Sequence, residues 1–182
     1  MKKAIAILEF TTVSTGLKAA DLLVKTAELD IIEAGAVCPG KYMIIIAGQL
    51  AAVAVATRAA QKAYGERYIN SFILGNPHES LLPGFYGSTE INNLSALGVL
   101  ETFDAATAIK AADTAVKTAI VELIEIRLAK GMCGKSYITL TGDVAAVTAA
   151  IEAAKQVASD AGMLLDSAVI SNPDTKLAQF LL

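Results

Sequence analysis

Lys18-Ala19-Ala20-Asp21-Leu22-Leu23-Val24-Lys25-Thr26-Ala27 returns later in the chain as Lys110-Ala111-Ala112-Asp113-Thr114-Ala115-Val116-Lys117-Thr118-Ala119. Eight of the ten positions are identical, and they include lysines, an aspartate and a threonine as well as alanine, so a bias toward alanine does not account for the match. The correspondence runs outward on both sides. Ile7-Leu8-Glu9 is answered by Val99-Leu100-Glu101, and Ile32-Glu33 by Ile124-Glu125. Past a two-residue insertion, Gly40-Lys41 is answered by Gly134-Lys135 and Gly48 by Gly142. After a second small shift, Asn76-Pro77 is answered by Asn172-Pro173. Self-similarity over nearly all of a 182-residue chain implies two homologous domains. Their expected extents are 1–88 and 94–182. Pro83-Gly84-Phe85-Tyr86-Gly87-Ser88 and Asn92-Asn93 carry turn residues, and 89–93 is expected to be the linker.

Each half carries the same order of elements. Ala4 to Phe10 is a short apolar run suited to a buried strand. Thr12 and Ser14 offer helix-capping oxygens, and Leu17, Ala20, Leu23, Val24 and Ala27 then recur at helical spacing. Leu29 to Val37 and Lys41 to Ala47 are rich in Ile and Val around a Pro39-Gly40 turn, which predicts a strand pair. A helix from about Leu50 to Tyr64 and a strand from Tyr68 to Leu74 close the half. The order β-α-β-β-α-β is the split-βαβ, ferredoxin-like plan of the α+β class, with helices on one side of an antiparallel sheet. The flank left by such a sheet is expected to pack on another copy of the chain.

Composition narrows the function. With 54% apolar and 18% charged residues the chain is not disordered. A net charge of −3 and a pI near 5.2 argue against a nucleic-acid partner. Two cysteines make no disulfide framework, so a reducing cytosol is expected. The apolar run after Lys2-Lys3 ends at Glu9, too soon for an export signal. The longest charge-free stretch, Tyr42 to Thr57, falls short of the ~20 residues a membrane-spanning helix requires.

No catalytic constellation stands out. Gly131-Met132-Cys133-Gly134-Lys135-Ser136 resembles the end of a phosphate-binding loop, but Ala129 stands where the first glycine belongs and a strand, not a helix, follows. Glu9 and Glu101 are equivalent strand-end acids, explained by duplication and expected to bond an amide or a basic side chain. His78, the one histidine, has no Ser/Asp or Cys/Asp partner at a triad spacing and is expected in a solvated loop. Asp21 and Lys25, with Asp113 and Lys117, form acid-first i,i+4 pairs, which fit either an ordinary surface pair or a mark of where molecules meet.

Cys38 is the most informative single residue. It stands in Val37-Cys38-Pro39-Gly40-Lys41, at the tip between two strands rather than within an apolar face. A small buried hydrophobe is one reading. An exposed, electropositive tip beside Lys41, the setting of a reactive or metal-binding thiol, is the other. Cys-Pro also ends a common iron–sulfur ligand run. One cysteine cannot hold a cluster, but a threefold ring would bring three to its axis. Cys133 lies two residues from the matching position of the second half.

The Leu-Glu strand, the Lys-Ala-Ala-Asp-x-x-Val-Lys-Thr-Ala helix and the Gly-Lys hairpin, each present twice, resemble bacterial microcompartment shell proteins, and the duplication resembles their tandem-domain, trimer-forming branch. The resemblance implies a flat pseudohexamer of three chains with a central opening, joined edge to edge to other shell proteins and located in a microcompartment shell in the cytoplasm. It implies a structural protein and not an enzyme. Tile-edge contacts map onto Lys25 and Lys117, together with Asn76 and Asn172. The pore lining maps onto Val37, Cys38, Pro39 and Gly40 and onto Gly131, Met132, Cys133 and Gly134.

Cys38-Pro39-Gly40-Lys41 is similar to the iron–sulfur-binding type found in propanediol-utilising compartments. That similarity implies one [4Fe–4S] cluster per trimer on Cys38, with Cys133 as a possible extra ligand, for electron transfer or cluster delivery. It also implies an encapsulated redox enzyme as a partner, and no membrane or nucleic acid. Two departures stand out. Asn76-Pro77-His78 and Asn172-Pro173-Asp174 lack the arginine usual before this proline, and Cys133 replaces a usual pore glycine. The alternatives are a cluster-free tile whose pore conducts a small metabolite and a ligand-sensing ferredoxin-like trimer.

Overall fold

The computed structural model describes residues 4–88 and 94–181, and the expected linker 89–93 lies outside the described residues. The chain divides into two compact units, Met1–Pro77 and His78–Leu182. The first contains β1 (Ala4–Phe10), α1 (Val13–Thr26), β2 (Leu29–Val37), β3 (Lys41–Gly48), α2 (Leu50–Ala63) and β4 (Tyr68–Gly75). Its sheet has the order β2-β3-β1-β4 and every pairing is antiparallel. β1 and β2 are joined through α1 with β3 between them, which is the split βαβ arrangement.

Alternation along the strands decides what faces the helices. Ala4, Ala6, Leu8 and Phe10 of β1, with Ile44 and Ile46 of β3, form one core with Ala19 and Leu23 of α1 and Val53, Ala56 and Ala60 of α2. Each fully buried Leu, Ile or Phe in such a core contributes about 1.5–3 kcal/mol. Phe10 closes the end of this core edge-on to Tyr64 and Tyr68, with ring centroids 6.4 and 6.0 Å away. The alternate set, Ile5, Ile7, Met43, Ile45 and Ala47, is also buried, at no more than 3% exposure. β1 and β3 are therefore covered on both faces, where a sheet with one open flank was expected. Their near-continuous apolar sequence is the reason they tolerate it.

The second unit repeats the plan with β5 (Ala96–Thr102), α4 (Ala105–Thr118), β6 (Glu122–Leu128), β7 (Ser136–Gly142), α5 (Val144–Asp160) and β8 (Leu164–Ser171). The sheet order is β6-β7-β5-β8. Asp104 caps α4 by accepting from the Thr107 amide at 3.2 Å, whereas Thr12 at the head of α1 makes no side-chain cap bond and donates to Thr15 Oγ1 instead.

The second compact unit begins at His78. Leu81–Tyr86 is a short helix, α3, that takes in Pro83 to Tyr86 of the stretch expected as turn and is ended by Gly87 in the left-handed region at φ 56°. Leu81 is buried, and Gly84 lies so close to Leu123 and Ile126 of β6 that a Cβ there would come within 2.8 Å of Leu123 Cδ2. This packing attaches 78–88 to the second repeat. After β8, a turn of 3-10 helix spans Thr175–Phe180. No helix among the described residues is long and apolar enough to cross a membrane.

Candidate functional site

The β2–β3 hairpin carries Cys38 at its tip. Its turn closes by a bond from the Gly40 amide to the Val37 carbonyl at 2.9 Å, with Gly40 at φ 88° and the Cys38–Pro39 peptide cis. Val37 is buried at the root, while the Cys38 thiol is free and partly exposed. Lys41 does not leave the tip electropositive as expected. Its ammonium lies 2.7 Å from Glu9 Oε1, and the two side chains are 24% and 14% exposed, so the charge is matched at the hairpin root. The expectation that a strand-end glutamate bonds a basic side chain holds for Glu9. No matching Glu101–Lys135 pair forms among the described residues.

The corresponding loop of the second unit, 129–135, is wider. The Ala129 amide donates to the Lys135 carbonyl at 3.1 Å, and the Lys135 amide to the Met132 carbonyl at 3.1 Å. Ala129, Gly131, Cys133 and Gly134 all take positive φ, at 54°, 71°, 54° and 93°. Cys133 is a free, exposed thiol on this loop, and a strand follows, as a glycine-rich loop between strands requires. Cys38 and Cys133 belong to different compact units.

A polar cluster absent from the sequence reading lies on β6 and β7 below that loop. Arg127 donates from Nε to Glu125 Oε1 at 2.9 Å, Tyr137 donates its hydroxyl to Glu125 Oε2 at 2.7 Å, and the guanidinium sits 5.8 Å from the Tyr137 ring centroid. Burial, then the bond to the Glu125 carboxylate, pushes the Tyr137 phenol up to about 12. The hydrogen bond to Glu125 raises the Arg127 guanidinium further. Glu125 and Arg127 share a face as alternate strand residues, and Arg127 faces Tyr137 across the ladder. Gly35 and Met43 stand at the positions of Arg127 and Tyr137 in the first repeat, so comparing the repeats could not expose the cluster.

The duplicated helix pairs both form but differ in setting. Lys25 and Asp21 meet at 2.7 Å with both side chains well exposed. Lys117 and Asp113 meet at 2.6 Å with Asp113 only 8% exposed. The second Asp113 oxygen accepts the backbone amide of His78 at 2.8 Å. His78 is half-buried, not a solvated loop residue, and its Nδ1 lies 2.8 Å from Ser80 Oγ. Asn76 and Asn172 both take left-handed φ, at 51° and 49°. Among the described residues, no group of three or more His, Cys, Asp or Glu side chains is placed to hold a metal ion.

Comparison with known proteins fits this geometry. The BMC domain matches residues 4–77 and again 96–173. The chain is 35% identical over 173 residues to the bacterial microcompartment shell protein PduT of Citrobacter freundii, covering 95% of this chain and 94% of that protein. It is 30% identical over 167 residues to the carboxysome assembly protein CcmO of Synechococcus elongatus, of which it spans 59%. A crystal structure of a microcompartment protein from Desulfitobacterium hafniense superposes with a TM-score of 0.94 at 41% identity, covering 98% of this chain and 99% of that one. The fused permuted hexameric shell protein of the RMM microcompartment shares the fold, with a TM-score of 0.60 at 22% identity over 87% of this chain and 82% of its own. The chain belongs to the BMC-domain shell proteins of bacterial microcompartments, as a tandem-domain member with a structural, non-catalytic role in a shell located in the bacterial cytoplasm.

Proposed function

We propose that three copies of this chain assemble into a pseudohexameric tile whose central opening is lined by Val37 to Gly40 and by Gly131 to Gly134, and that Cys38 of the three copies holds a [4Fe–4S] cluster there. The 35% identity to PduT and the Cys38-Pro39-Gly40-Lys41 turn support this reading. The observation that carries it is the placement of Cys38, a free, partly exposed thiol at the tip of a hairpin. A thiolate is the ligand such a cluster requires. The Cys38 thiol fits the group as one third of a site, since each chain would offer one thiolate and three copies would offer three. Bound, the cluster would supply one-electron redox chemistry across the shell, toward an encapsulated redox enzyme, or would itself be delivered.

The chain's own residues would present the thiol. The Glu9–Lys41 pair fixes the hairpin root, and the bond from Gly40 to Val37 closes the turn. Cys38 of the three copies would hold the cluster, and Cys133 is the residue that could supply a further thiolate. Lys25, Lys117, Asn76 and Asn172 would lie at the tile edge, where other shell proteins join. By chain order the two homologous repeats are proposed to be 1–88 and 94–182, with 89–93 between them, the tail 78–88 of the first packing against the second.

Iron and acid-labile sulfide in anaerobically purified protein test the assignment. About four of each per trimer are expected in the wild type. None is expected in Cys38→Ser, which should still form trimers, and Cys133→Ser then reads the extra ligand. Absence of iron from the wild type after anaerobic reconstitution would remove the cluster and leave a tile whose pore conducts a small metabolite.

A further inference from the structure

The two repeats differ most in what covers one face of their first helix and the strand that follows. Leu17, Val24 and Ile31 are 56%, 41% and 40% exposed, whereas Ile109, Val116 and Leu123 at the same repeat positions are 1%, 8% and 0% exposed. Asp21 is open to solvent where Asp113 is buried. In the second repeat the cover is visible. The segment that follows β4 turns at Asn76, bonds Asp113 through the His78 amide at 2.8 Å, and seats α3 with Gly84 against Leu123 and Ile126.

The segment that follows β8 has the same construction. It turns at Asn172 with φ 49°, against 51° at Asn76, continues through Pro173 as the other does through Pro77, and enters a short helical turn, Thr175–Phe180. Leu177 stands at the repeat position of Leu81, which is buried at 1% exposure. Phe180 is 76% exposed. Leu17, Val24 and Ile31 of the α1–β2 face are exposed in the single chain.

We propose that residues 172–180 of one copy dock on the exposed α1–β2 face of a second copy along the path that 76–84 takes over α4 and β6, with Phe180 at the repeat position of Gly84 and the smaller Ala34 at that of Ile126. The Asp174 backbone would take the place of His78 at Asp21, and Leu177 and Phe180 would cover Val24 and Ile31. This inference rests on the trimeric-tile reading and names the surfaces that would join its chains. Each copy gives one segment and receives one, a heterologous contact that closes into a ring when its rotation permits.

The test places p-benzoylphenylalanine at Phe180 in the full chain and irradiates a mixture of light and isotopically heavy protein. The expected cross-link joins residue 180 of one isotope to a peptide within 13–37 of the other. Leu17→Arg is expected to lower the sedimenting species from three chains to one, while Val55→Arg, on an exposed position of α2, leaves it unchanged. If the wild type sediments as three chains but the cross-link is absent, stays within one chain or lands elsewhere, the docking is overturned and the tile stands. If the wild type sediments as a single chain, both readings fall.

Discussion

The ammonium of Lys41, the first residue of β3, lies 2.7 Å from Glu9 Oε1 on the neighbouring strand. Glu9 is in register with Met43, so Lys41 reaches it along the diagonal of the ladder, on the same sheet face. The pair ties the central strand to the root of the Cys38 turn, with both carboxylate and ammonium largely withdrawn from water.

Removing one partner leaves a part-buried charge uncompensated. Glu9→Ala is therefore expected to cost about 1–3 kcal/mol in urea unfolding. The double variant Glu9→Leu with Lys41→Met is expected to recover most of that loss, because apolar groups of similar size need no partner. A double-mutant cycle showing strictly additive losses would mean the pair carries no coupling.

The two helix aspartates predict unequal losses from identical changes. Asp113 receives both Lys117 and the His78 amide while buried, whereas Asp21 holds only an exposed i,i+4 pair. In monomeric conditions Asp113→Ala is expected to cost about 1–3 kcal/mol and Asp21→Ala no more than about 0.5 kcal/mol. Thermal unfolding of the two variants side by side reads the difference, and equal shifts would contradict it.

Those two aspartates also mark the limit of what the sequence could show. Strands such as Lys41–Gly48 and helices such as Leu50–Ala63 were legible within a residue or so, because apolar runs and turn signals agree there. Cys38 was legible as a hairpin-tip thiol because Pro39-Gly40 punctuates two β-branched runs. The setting of Asp21 and Asp113 was not, since Lys-Ala-Ala-Asp is identical in both and only a distant segment separates them. Residues 83–88 read as turn because Pro83, Gly84 and Gly87 are turn formers. Residues 81–86 form a helix because Leu81 is buried and Gly84 fits closely against β6, a tertiary effect that overrides composition. The Glu125–Arg127–Tyr137 cluster depends on the β6–β7 register, which no local pattern reveals.

Thr57 on α2 is 3% exposed and its Oγ1 has no hydrogen-bond partner, while the second repeat places Ile151 at the equivalent position. Thr57→Val removes the unmatched hydroxyl at nearly constant volume. It is expected to stabilise the protein by about 1 kcal/mol, read as a higher urea midpoint at unchanged slope. A loss of stability would show that the hydroxyl is satisfied.

Gly16 lies where α1 crosses the Tyr42 side chain, and a Cβ there would approach the ring to 2.2 Å and the Tyr42 Cβ to 2.6 Å. Tyr42 is buried and its Cβ is fixed by β3, so the overlap cannot be relieved by a flexible side-chain end. Gly16→Ala gains helix propensity but is expected to lose about 1–3 kcal/mol net through overpacking. An unchanged melting temperature would show that α1 can move off the sheet at no cost.

Tyr137 supplies a pH dependence whose sign follows from its environment. Burial and the Glu125 carboxylate favour the neutral phenol and raise its value to about 12 in the folded chain, against about 10 for an unfolded tyrosine. The folded state therefore holds this proton more tightly than the unfolded state. The contribution is fully present below about pH 10 and is lost progressively as pH rises toward about 12. Ultraviolet titration is expected to show one phenol ionising later than an ordinary tyrosine, and Tyr137→Phe should remove that late step. Glu125→Gln should bring the phenol back toward its ordinary value, since it removes the carboxylate and leaves the burial. A Glu125→Gln titration identical to wild type would assign the whole shift to burial alone.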